Sequence, residues 1–116
     1  KQAHPVHINV YTYNNGIDIT TIKGSPVRAV YAGEVTSVIV IPGAGKAVII
    51  AHGDYRSIYS NLQEAYVSKG AKVDTKQEIG YLLTNENGTS DVHFEICKIT
   101  AEGEIVHVNP TYWILK

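Results

Sequence analysis

Asp91, His93 and Glu95 occupy alternate positions of the segment Asp91-Val92-His93-Phe94-Glu95-Ile96-Cys97. Read as a strand, that spacing holds an imidazole between two carboxylates on one face, with Cys97 further along it, and leaves Val92, Phe94 and Ile96 on the other. Three such side chains pointing into one space could ligate a metal or relay a proton. The same alternation also describes the solvated face of a half-buried antiparallel strand. The choice depends on which other residues reach His93.

The elements that would position them are short and β-like. Residues 7–13, His-Ile-Asn-Val-Tyr-Thr-Tyr, read as a strand that turns at Asn14-Asn15-Gly16, after which Ile17 and Ile19 face one way and Asp18 the other. Strands follow over Val27–Tyr31 and Glu34–Ile41, and Pro42-Gly43-Ala44-Gly45 forces a loop. Ala47–Ala51 and Tyr55–Tyr59 read as a hairpin about His52-Gly53-Asp54. From Asn61 to Tyr66 the alternation stops, and a short helical or irregular turn is expected there. Gly24-x-x-Val27 and Gly70-x-x-Val73 echo one another, each a glycine turn three residues ahead of a buried valine. Glu102-Gly103 turns the chain into Ile105–Val108, and Asn109-Pro110 opens a last helical turn carrying Tyr112, Trp113 and Leu115. No window sustains a 3.6-residue period, so the class is all-β, an antiparallel sandwich or barrel-like pair of sheets with little helix.

Composition narrows the partners. With 116 residues, 44% of them hydrophobic, the chain suffices for one domain with a real core. A net charge of −1 without Lys/Arg runs argues against nucleic acid, which is held by clustered cations. No apolar run approaches a transmembrane span. Methionine is absent even at position 1, which points to a processed product or a piece of a longer chain. Cys97 is the single cysteine; it cannot form an internal disulfide and is read as a packing residue.

Taken in order, Asn14-Asn15-Gly16-Ile17-Asp18, Gly24 to Gly33, Ile50-Ala51-His52-Gly53-Asp54 with Tyr59-Ser60-Asn61-Leu62, and Asp91-Val92-His93-Phe94-Glu95 resemble the lysostaphin/LytM-type zinc endopeptidases of bacterial cell walls. The resemblance runs from His4 to Trp113 and implies a LytM-type antiparallel fold with an open groove and the site on its floor. It implies a single such domain over residues 1–116, lacking the family's N-terminal strand and an upstream coiled coil. Carried over by position, the family's first zinc ligand is here Asn14, the second is retained as Asp18 and the third as His93. The family's two catalytic histidines are here Asp91 and Asn61.

An Asn amide oxygen is a weaker zinc donor than an imidazole nitrogen, so Asp18 and His93 are left as the strong ligands of a degenerate site. Without the metal, water is not acidified, and without the imidazoles no group is poised to move protons. The expectation is therefore no zinc, no other cofactor and no peptidase activity. This pattern is similar to the EnvC-like murein hydrolase activators, and that similarity implies a cell-envelope or periplasmic binding module. Its partner would be an N-acetylmuramoyl-L-alanine amidase, with peptidoglycan as a second candidate. The binding groove would be lined by Tyr13, Asn14, Asp18, Arg56, Tyr59, Asn61, Asp91 and His93, with Asp18, Asp91 and His93 converging on its floor, and a monomer is expected. An alternative is a metal-dependent peptidoglycan endopeptidase whose altered site uses Asp18, Asp91 and His93. A third reading, a biotinyl- or lipoyl-carrier barrel suggested by the two Gly-x-x-Val segments, lacks a suitably flanked lysine at a hairpin tip. His52 is read as structural, and no partner is evident for His4, His7 or His107.

Overall fold

The structure, a computed structural model, describes residues 9–13 and 16–110, with side chains from Gly16 to Pro110. The expected closing turn at Tyr112, Trp113 and Leu115, and any strand before Asn9, lie outside these residues. Ten antiparallel strands follow one another: β1 (Asn9–Tyr13), β2 (Gly16–Ile22), β3 (Pro26–Arg28), β4 (Gly33–Val40), β5 (Lys46–His52), β6 (Tyr55–Ala65), β7 (Lys72–Val73), β8 (Glu78–Leu82), β9 (Thr89–Ile99) and β10 (Ile105–Val108). There is no helix among the described residues. The all-β class read from the sequence holds.

Hydrogen bonding runs β1-β2-β9-β6-β5-β4-β7, with β10 on β9, and with β8 joining β6 to β3. The expected pair of sheets is thus one sheet whose ladder branches at β6. The branch point is Asn61. Through Ser60, which lies opposite His93, β6 pairs with β9; from Leu62 onward it pairs with β8. Between Tyr59 and Leu62 the register against β5 also shifts, and Asn61 has φ 71°, a left-handed conformation that Asn tolerates better than most residues. The loss of alternation after Asn61 is therefore a β-bulge inside one long strand, not the short helical or irregular turn expected from the sequence.

A single core fills the space between the two arms of this sheet. Ile17, Phe94, Tyr59, Val48, Ile50 and Ile96 supply one side and Val27, Ile79 and Leu82 the other. Each large apolar side chain so buried contributes about 1.5–3 kcal/mol relative to exposure. Both glycine–valine echoes are present: Gly24 and Gly70 have φ +69° and +91°, and Val27 and Val73 are buried. The strand expected over Val27–Tyr31 ends at Arg28, because the Val30 N–H donates to the Tyr59 hydroxyl (3.0 Å) instead of to a neighbouring strand. The β5–β6 hairpin closes as expected, with His52 opposite Tyr55.

Candidate functional site

Asp18 of β2 and His93 of β9 are direct cross-strand partners. Alternation turns both away from the core, because Ile17 and Phe94, also paired, are buried there. His93 Nδ1 lies 2.5 Å from Asp18 Oδ1, and Nε2 lies 2.9 Å from Glu95 Oε2. The imidazole is clamped between two carboxylates, about a quarter exposed at 27%. Burial by itself would lower its pKa, but hydrogen bonds from Asp18 and Glu95 and their negative charge outweigh that and raise it.

Gly16 completes the clamp. A Cβ there would stand 2.6 Å from Glu95 Cγ and 2.6 Å from the Phe94 carbonyl oxygen, so β2 can start this close to β9 only without a side chain. Glu95 lies on the face read from the sequence but was not among the expected site residues. Its i, i+2 spacing from His93 is the signal that identifies it. Its other oxygen, Oε1, lies 3.9 Å from His107 Nδ1, so His107 has a distant partner that the sequence did not reveal.

The remaining expected residues divide. Asp91 shares the face, opposite Thr20, but its Oδ2 accepts from Asn85 Nδ2 at 3.2 Å. Its Oδ1 is buried with no hydrogen-bond partner among the described residues. It is tied to the Asn85 loop and makes no hydrogen bond to the Asp18–His93 pair. Asn61 sits at the bulge beside the Ser60–His93 pair, and its carbonyl accepts from the Leu83 N–H at 3.0 Å. Tyr59 is a correction: it is 2% exposed, its ring packs on Phe94, and it belongs to the core instead of to a groove wall. Arg56 is another. It shares the outer face but lies opposite Cys97, about 13 Å along β6 from Ser60 at ~3.3 Å per residue. Its guanidinium donates to the Gly53 and Tyr55 carbonyls at 2.7 and 3.0 Å, fixing the hairpin turn. Tyr13 lies opposite Gly16 in the ladder; Asn14 and the Tyr13 side chain lie outside the described residues. Cys97 is buried and free, and burial together with the Glu95 charge pushes its thiol pKa up, against a smaller lowering by Arg56.

His52 is structural, as expected. Its Nδ1–H donates to the Ala32 carbonyl (2.9 Å) and its Nε2 accepts from the Ser57 hydroxyl (2.7 Å). Ser57 is fully buried and also hydrogen-bonds the Tyr59 hydroxyl, so this Ser–His pair is closed to substrate. An apolar cavity of about 210 Å³ lies on the other face of β2 and β9, lined by Ile19, Val27, Val30, Leu82, Val92 and Phe94 among others. It is separated from His93 by the sheet.

A hydrolytic zinc takes three protein ligands and keeps one position for water. Asp18 and Glu95 occupy opposite nitrogens of one ring, so they cannot converge on an ion that the same ring ligates. Among the described residues no three His, Cys, Asp or Glu side chains are placed to hold a metal ion. The described donors form a carboxylate–imidazole–carboxylate cluster on this sheet face.

The chain is similar to peptidoglycan DD-endopeptidase ShyA of Vibrio cholerae, 37% identical over 100 residues that cover 83% of this chain and 23% of that protein. It is similar to murein hydrolase activator NlpD of Salmonella dublin, 32% identical over 90 residues, 72% of this chain and 22% of that protein. In three dimensions it is similar to the catalytic domain of the prophage-encoded M23 protein EnpA of Enterococcus faecalis, with a TM-score of 0.68 and 28% identity over 86% of this chain and 78% of that one. The chain spans about a third or less of the length of the curated relatives it matches. Peptidase family M23 matches residues 12–110, which takes in β2, the β5–β6 hairpin and β9 with every described residue of the cluster, and the chain belongs to that family.

Proposed function

We propose that this domain is a non-enzymatic regulatory module that binds and activates peptidoglycan amidases in the bacterial cell envelope. One observation carries the reading. The positions at which the resemblance to the LytM-type zinc endopeptidases implies imidazoles are Asn14, Asn61 and Asp91 here, and His93, the histidine it implies as retained, has both nitrogens engaged by carboxylates. What remains is a half-buried polar sheet face with Asp18, Thr20, Ser60 and His93 near its centre, a surface suited to a partner's extended or helical segment. Similarity to a named murein hydrolase activator supports a regulatory role.

The amidase is the proposed partner, peptidoglycan a second ligand, and the envelope the proposed location. The test is amidase activation by the purified chain, with Thr20→Arg and Ser60→Arg as variants that fill the face without touching the core. Activation by the parent and its loss in both folded variants is the expected result. Equal activation by parent and variants would move the binding surface elsewhere.

The 37% identity to a named endopeptidase favours a second reading, hydrolysis at an altered metal site built from Asp18, Asp91 and His93. The Asp91–Asn85 bond weighs against it. Peptidoglycan digestion by the parent, measured with and without added Zn²⁺, separates the two. The combined Asn14→His, Asn61→His, Asp91→His variant serves as a positive control in which zinc binding is expected to return.

A further inference from the structure

Among the described residues the outer edge of β4 is left open. β7 covers only its start, opposite Gly33 and Glu34, and Val35 exchanges bonds with Gly70 and Ala71, each 2.8 Å. Beyond Val35 no strand pairs with this edge among the described residues. The segment from Thr36 to Ile41 reads Thr-Ser-Val-Ile-Val-Ile, uncharged and mostly β-branched, with Ile39 44% and Val40 70% exposed. Natural edge strands are usually blunted by lysine, proline or a covering loop, because free N–H and C=O groups template another strand. Here such protection begins only at Pro42.

The direction of each backbone group follows from the ladder. Val35 points outward, to Gly70 and Ala71, and the Ile41 N–H points inward, to the Gly45 carbonyl. With the register shift at Thr36, antiparallel alternation turns the backbone of Ser37 and Ile39 toward β5 and that of Val38 and Val40 outward.

We infer that this edge pairs with the same edge of a second copy of the chain, antiparallel about a two-fold axis at Ile39. In that register Val38 of one copy lies opposite Val40 of the other. Each becomes a hydrogen-bonded pair, so every outward N–H and C=O of Val38 and Val40 gains a partner. Ser37 meets Ile41, and Thr36 meets Pro42, which has no N–H to leave unpaired. Ile39 meets its own counterpart, covering apolar surface that is open in the single chain. No charged residue falls opposite another, so like-charge repulsion does not oppose the pairing. The arrangement is isologous and closes at two copies; it replaces the monomer expected from the sequence.

Sedimentation equilibrium of the chain over a wide concentration range tests this. The parent is expected to approach twice the 12.7 kDa chain mass. Ile39→Lys sets two lysines against each other at the axis and is expected to restore the single-chain mass. Val40→Pro removes an N–H that faces away from β5 and pairs with no strand among the described residues, and should do the same, while Ile39→Val should keep the pair. Thermal melting establishes that each variant is folded. A parent that stays at single-chain mass throughout, whether the edge is left to water or to a segment of another protein, overturns the proposal. So does a folded Ile39→Lys or Val40→Pro variant that still doubles.

Discussion

His93 and Asp18 face each other across the β9–β2 ladder, joined by a hydrogen bond of 2.5 Å. This charge-assisted bond ties β2 to β9 on the face away from the core. Asp18→Asn keeps the shape of the side chain and removes the charge. The expected cost is roughly 1–2 kcal/mol, in line with hydrogen bonds to charged groups at a partly exposed site. Urea denaturation reads it directly, and an unchanged midpoint would show the bond to be of no consequence.

Gly16→Ala should disturb the clamp from above. Its new Cβ would be 2.6 Å from two atoms of β9, whereas a Cβ at Gly24 would meet nothing within 4 Å. Both positions have positive φ, so both substitutions carry backbone strain of about 1–2 kcal/mol, but only Gly16→Ala adds a steric clash. Gly16→Ala is therefore expected to lose clearly more stability than Gly24→Ala, and equal losses would contradict the packing described.

At the bulge, the prediction follows from the backbone of Asn61. Glycine adopts φ 71° without strain, whereas a β-branched residue does not. Asn61→Gly should be nearly neutral, and Asn61→Val should cost about 1–3 kcal/mol. Matched thermal melts of the two variants decide it, and similar Tm values would mean that the bulge relaxes.

Much of this was legible in the sequence where period-two alternation was intact. Asp91 to Cys97 and Ile17 to Ile19 carried their faces openly, while the nearness of Asp18 to His93 was implied only by the family resemblance. At Asn61 the same rule failed, because a bulge inserts one residue and inverts every later side chain, so a continuing strand looked like its end. Tyr59 was misplaced for a related reason: an aromatic residue next to Asn61 suits either a rim or a core until its register with Phe94 is known. Arg56 and Asp91 went astray through contacts local to the three-dimensional structure, with the turn carbonyls and with Asn85. No spacing announces those contacts.

The two described histidines with shifted pKa values should respond to pH with opposite signs. His52 lies below its ordinary value, chiefly through burial; the Ala32 carbonyl partly offsets this, and Arg56 adds to the lowering. The folded state therefore favours the neutral ring. Its contribution is fully present above the unfolded value of about 6.5 and is lost as pH falls through the lower folded value. Protonation would also turn Nε2 from acceptor to donor against the Ser57 hydroxyl. Tm measured between acidic and neutral pH should show an acid-side loss that is smaller in His52→Gln than in the parent. An identical pH dependence in both would exclude this role.

Because β6 serves β9 up to Ser60 and β8 from Leu62 onward, neither arm of the sheet can open while the other keeps an intact partner strand. In native-state hydrogen exchange, the slowest amides of β8 and β9 should therefore share one opening free energy and belong to a single foldon. A force that pulls the arms apart would load the same few bonds around Asn61. Asn61, at the branch of the ladder, thus stands at the mechanical hinge of the domain.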